Sequence, residues 1–110
     1  MSNFQLYIIS MEEKMKDYIT WYERYKIALK EVLSIKDIMK LRNVGQPTAI
    51  NLRREALEYC MKNDITVINN KPPTEVLMLL TGKDLDYYHE KMVLELEAIK
   101  LHQTVIEYRA

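Results

Sequence analysis

From Phe4 to Val32, apolar side chains return at alternating spacings of four and three: Phe4, Ile8, Met11, Met15, Tyr18, Tyr22, Tyr25, Leu29 and Val32. That is a heptad seam, and it predicts one long N-terminal helix over residues 1–33. Ser10 with Glu13 makes a capping-box pair, so the regular part of the helix can begin there. Tyr7, Ile9, Ile19, Trp21, Ile27 and Leu33 widen the apolar surface beyond the seam, which calls for more than one packing neighbour. The pattern then changes. Ser34 and Asp37 form a second capping-box pair, and Ile38, Met39 and Leu41 supply a short stripe. Asn43-Val44-Gly45 interrupts it with two residue types that tolerate left-handed backbone. Pro47 suits the first turn of a new helix. Ala49, Leu52, Ala56 and Cys60 follow at spacings of three, four and four, on one face. Helices over about 35–41 and 47–62, joined by a sharp turn, make a helix-turn-helix over residues 34–62.

Ile65 to Ile68 favours extended backbone, and Asn69-Asn70-Lys71-Pro72-Pro73 is turn chemistry, so the stretch 65–71 reads as a minimal β wing or an extended link. Thr74 to Leu80 predicts a two-turn helix closed by Gly82. Residues 83–110 predict a final long helix, with Thr81 and Asp84 as a third capping-box pair. Leu85, Tyr88, Met92, Leu96, Ile99 and Ile106 form one apolar row on it; Leu94, Ala98, Leu101, Val105 and Tyr108 form another. A helix apolar on two sides is sandwiched. The first helix is the expected partner for one row, and a second copy of the chain for the other. The expected fold class is therefore all-α, one domain, with the helix-turn-helix braced by the long N- and C-terminal helices.

Composition supports a helical domain. Among 110 residues there are two glycines and three prolines, and none of them falls in the first 44 positions. The single cysteine, Cys60, excludes an internal disulfide, and with no signal-peptide pattern at the N-terminus it points to a cytoplasmic protein. No apolar run approaches the ~20 residues of a membrane span, so no membrane partner is expected. Net charge is zero, but its distribution is uneven. Residues 34–62 carry six basic side chains (Lys36, Lys40, Arg42, Arg53, Arg54, Lys62) against three acidic ones (Asp37, Glu55, Glu58). The positive excess thus sits on the segment shaped to enter a groove.

Residues 34 to about 81 resemble the small helix-turn-helix proteins of Gram-positive phages and mobile elements, excisionase-like and regulator families among them. The resemblance is carried by KDIMKL, a turn, PTAINLRREA, a basic-Pro-Pro step and a short helix ending in Leu-Thr-Gly. It implies that the second helix of the motif enters the DNA major groove.

On that basis Gln46, Thr48, Asn51 and Arg54 are the candidates for base contact. The amides of Gln46 and Asn51 suit adenine, and the Arg54 fork suits guanine. Lys36, Lys40, Arg42 and Arg53 are the candidates for phosphate. Met11, Met15, Tyr18, Tyr22, Tyr25, Leu94, Leu101 and Val105 are expected at a homodimer interface. The expected function is sequence-specific binding of double-stranded DNA, as a transcriptional regulator or excisionase-like architectural factor. The alternative is a protein-interaction module, an inhibitor or adaptor of a host protein, which the Tyr- and Met-rich surfaces favour. No enzyme is expected. His89 and His102 are thirteen residues apart with no metal-ligand motif around them, Cys60 falls on the inner helix face, and no cofactor or metal is implied.

Overall fold

Most of the helix boundaries can be traced to particular residues. The computed structural model describes residues 19–109, with side chains described for 19–103. Among these residues the protein is all-helical, with α1 at Trp21–Ala28, α2 at Ile35–Arg42, α3 at Gln46–Lys62, α4 at Thr74–Thr81 and α5 at Leu85–Arg109. Thr20 has extended backbone and caps α1 by accepting from the Glu23 N–H at 3.1 Å. Ser34 and Asp37 close a reciprocal capping box at the start of α2. Asn43 ends α2 in the left-handed region at φ 53°. At the end of α3, Asp64 takes φ 54° and the Ile65 N–H returns to the Cys60 carbonyl at 2.9 Å, a Schellman-type closure. Gly82, at φ 70°, ends α4.

Two expectations change, and a third narrows from a wing or a link to a link. The single helix over 1–33 is interrupted: α1 is eight residues long, bounded by extended Thr20 and ending at Ala28. The chain then runs out in an extended link, where the Leu33 N–H donates to the Pro72 carbonyl at 3.1 Å and Val32 bridges Pro73. Thr81 does not cap the last helix. Its hydroxyl donates back to the Leu77 carbonyl at 2.9 Å inside α4, and Asp84 alone accepts from the Tyr87 N–H at 2.9 Å. The stretch 65–71 holds no strand. It contains one isolated bridge, Ile68 to Lys71, around Asn69 and Asn70 at φ 57° and 55°. Two successive positive φ angles are what a type I′ reversal requires, and Asn accepts them at low cost.

Packing runs as a chain of neighbours. α2 lies against α3, α3 against α4, and α1 against both α2 and α5. The core joins Ile27, Ala28, Leu33, Ile38, Leu41, Ala49, Ala56, Cys60, Val76, Leu77 and Tyr88. Ala49 and Ala56, both fully buried, keep the contact surface of α3 low enough for close approach. The predicted seam faces a different way from the core. Tyr22, Leu29 and Val32 are exposed, whereas Ile27 and Leu33, expected only at the flank, are buried. Once the helix stops at Ala28, Leu29, Val32 and Leu33 no longer follow its periodicity, and within α1 the inner side is set by Ile27 and Ala28, away from Tyr22.

The α1–α5 junction is aromatic and polar together. The Trp21 ring meets Tyr87 edge-on at 5.9 Å, and the Arg24 guanidinium stacks on Trp21 at 3.7 Å. Arg24 Nε also donates to the Leu41 carbonyl at 3.0 Å, satisfying an acceptor in the last turn of α2. From α5, the Glu95 carboxylate accepts from the Trp21 and Tyr22 N–H groups at 2.9 and 3.2 Å. A carboxylate from 74 residues away thereby sits at the positive end of α1.

Candidate nucleic-acid interface

The outer face of α3 is set by its inner one. Ala49, Ala56 and Cys60 are fully buried, so at 100° per residue the opposite face carries Pro47, Asn51, Arg54 and Glu58. All four are exposed, as are Gln46 and Thr48 in the first turn. Among the described residues, no side chain of α1 or α5 covers this face. α3 begins at Gln46, with Gly45 as its cap and Pro47 in the first turn. No side chain caps this end and no acidic residue lies in its first turn, so the helix dipole there is not offset by a local carboxylate.

The turn relies on one residue. Asn43 takes the left-handed conformation; Gly45 is extended at φ −76°, ψ 171°. A Cβ at Gly45 would meet only the Pro47 ring, at 3.8 Å. Gly45 is therefore not needed for the reversal.

The four expected phosphate residues do not form one set. Lys36 and Lys40 lie one turn apart on the outer side of α2, both exposed and opposite buried Ile38 and Leu41. Arg42 is half-buried, and its guanidinium donates to the Tyr88 hydroxyl at 3.1 Å, which draws it toward α5 and into the fold. Arg53 is half-buried at the edge of the inner face of α3, away from the row of Asn51 and Arg54. Among the eight expected dimer residues, Tyr22, Leu94 and Leu101 are 50%, 58% and 66% exposed. Tyr25 is instead taken within the chain, its ring edge-on to His89 at 5.4 Å. Met11, Met15, Tyr18 and the side chain of Val105 lie outside the described residues.

At the entrance to α2, Lys30 Nζ reaches Asp37 Oδ1 at 2.9 Å. Burial alone would raise the Asp37 carboxyl. Hydrogen bonds from the Ser34 N–H, Lys30 and the Ser34 hydroxyl, with the charge of Lys30, overcome it and hold the pKa below the ordinary aspartate value. Lys30 is half in water, so the ion pair itself contributes little; the cap is the stronger element. Cys60 is a buried free thiol, and among the described residues no group of three His, Cys, Asp or Glu side chains is placed to hold a metal ion. No helix among the described residues is long and apolar enough to cross a membrane.

Sequence reasoning missed Arg24 and Glu95. Arg24 closes α2 and stacks on Trp21; Glu95 closes α1. Both act on backbone groups far away in sequence, for which spacing carries no signal. No protein-family model matches the chain, and comparison with curated proteins and with solved structures returns no significant match.

Proposed function

We propose that this protein binds double-stranded DNA in a sequence-specific manner, as a regulator or excisionase-like architectural factor, with α3 as the helix that enters the major groove. The observation that carries this reading is the uncovered outer face of α3: exposed Gln46, Thr48, Asn51 and Arg54 at its N-terminal end, next to a short helix with exposed Lys36 and Lys40. Amide and guanidinium groups in the first two turns match the donors and acceptors of adenine and guanine, and lysines on the adjoining helix match phosphates. Arg42, engaged with Tyr88, is left out of the contact set. Glu58, farther along the same face, would be repelled by phosphate and marks where contact ends. A phage or mobile-element origin, expected from the motif pattern of residues 34–81, is part of the same proposal. Exposed Leu94 and Leu101 on one row of α5 support a homodimer, which would present two recognition helices to half-sites about 34 Å apart.

Selection of bound duplexes from a random-sequence pool, followed by fluorescence-anisotropy titration, tests the proposal. A defined motif should emerge. Arg54→Ala should then weaken binding to that motif by roughly 1–3 kcal/mol, while Lys36→Ala should weaken all sequences alike and reduce the salt dependence. No enrichment at low salt, or affinity unchanged in the Asn51→Ala, Arg54→Ala double variant, would refute it.

A further inference from the structure

α4 leaves one side uncovered. Val76 and Leu77 are buried, and on the opposite side Glu75 and Leu79 face outward, with Leu79 62% exposed. A cleft of about 510 Å³ opens between this side and the link after α1, floored by Leu29, Met78 and Leu85. It continues past Met78 and Leu79 into a shallower depression of about 400 Å³ bounded by Asp84. Leu29 is 54% exposed and Leu85 37%. Leu29, Met78, Leu79 and Leu85 therefore make one apolar strip that the described part of the chain does not cover, of the kind that marks an interaction site.

The charge around the strip is one-sided. Glu31 and Glu75 are exposed at its edges, and Asp84, whose carboxylate also caps α5, closes its far end. The one basic residue in the lining, Lys30, already has its ammonium on Asp37. Neighbouring Lys83 holds its ammonium 4.6 Å from the centre of the Tyr87 ring. An apolar floor with a carboxylate rim complements an apolar ridge flanked by cations.

The backbone narrows the form of the partner. The two link segments beside the cleft already clasp each other: the Thr74 N–H donates to the Glu31 carbonyl at 2.9 Å, the Thr74 hydroxyl to the Lys30 carbonyl, and the Leu33 N–H to the Pro72 carbonyl. Pro72 and Pro73 have no N–H to give. Along the Pro72-Pro73 side of the cleft, recognition therefore falls to side chains. A small ligand in the first cleft would leave Leu79, which lines the second, in water, whereas a helix laid along the strip would cover both.

We propose that this groove docks an amphipathic helix of a partner protein, apolar on one face and flanked by Lys and Arg. This is independent of the DNA reading, since none of the strip lies on α2 or α3.

The probe is a displayed library of helix-favouring peptides about four turns long, with apolar, basic and acidic residues randomised, selected on the full chain at physiological salt. Selected peptides should converge on an apolar row at i, i+3 or i+4, and i+7 with Lys or Arg beside it. Their affinity should fall by about tenfold or more on Leu79→Ser and on Glu75→Lys, both exposed positions whose helical circular dichroism should not change. DNA affinity of the two variants should equal that of the parent chain. Three outcomes would overturn the proposal: no enrichment, peptides that bind both variants as well as the parent, or selected peptides with acidic flanks. A change in sedimentation of the free protein on Leu79→Ser would also overturn it, by making the groove a contact between copies of this chain.

Discussion

Ser34 and Asp37 were legible as a pair because a capping box is local: the two side chains satisfy each other's backbone N–H groups within one turn, whatever the rest of the chain does. The structure adds Lys30, which the sequence places seven residues away with no helical relation to Asp37. Ser34→Ala should cost about 1 kcal/mol and lower the midpoint of thermal unfolding by roughly 4–8 °C, read by circular dichroism. The acid limb follows from the depressed Asp37 carboxyl. A carboxyl with a lower pKa folded than unfolded contributes stability that is fully present above the unfolded value, about 3.9, and is lost as pH falls through the folded value. Urea midpoints should therefore drop more steeply below about pH 4 for the parent chain than for Asp37→Asn. Equal slopes would show that the carboxylate is not what holds the cap. Asn43 was legible in part. Asn and Gly were both candidates for the left-handed position, and only the backbone shows that Asn43 takes it.

At the level of elements, α2 and α3 follow closely from their own residues, and α1 does not. The heptad seam continues unbroken through Leu29 and Val32, yet the helix ends at Ala28. The competing structure is the antiparallel clasp of residues 30–33 with 71–74, which joins segments some forty residues apart and has no counterpart in local propensity. Thr74 is its centre: only 3% exposed, it bonds the link through its N–H and its hydroxyl. Thr74→Val keeps the shape and removes the hydroxyl, and should cost about 1–3 kcal/mol in urea unfolding. Thr74→Ser, which retains the donor, should recover most of the loss. Trp21, the one tryptophan, stacks on Arg24 at the α1–α5 junction, so its fluorescence reports whether α1 loosens with the clasp or stays docked.

Across the whole molecule, the described part of α5 is unevenly covered. Tyr88 is fully buried near its start, while Leu94, Leu96 and Leu101 are exposed farther along. An apolar row at positions 94, 98 and 101 with no neighbour in the described chain has the spacing of a coiled-coil seam. If a second copy covers it, light scattering should give a dimer for the parent chain. Leu94→Asp with Leu101→Asp should give a monomer whose helical content is kept over residues 21–93. On the proposed function, the same variant should bind a single half-site nearly as well as the parent and lose the advantage of a paired site. A parent chain that scatters as a monomer would remove the dimer from the proposed function and leave the outer face of α3 to act alone.

The sequence by itself determined what is settled within a turn or two of chain: an all-helical protein, the cap at Ser34, the breaks near Asn43, after Lys62 and at Gly82, and the alternation of inner Ala49, Ala56 and Cys60 with outer Asn51 and Arg54. Those depend on backbone sterics and on 3.6-residue periodicity, which a linear pattern records directly. Only the tertiary structure decided where α1 stops, that Arg42 turns to Tyr88 and Tyr25 to His89, and that Glu95 and Arg24 satisfy the ends of distant helices. Each of these pairs a side chain with a partner brought near by packing, and nothing in residue spacing encodes which buried backbone group or ring will be within reach.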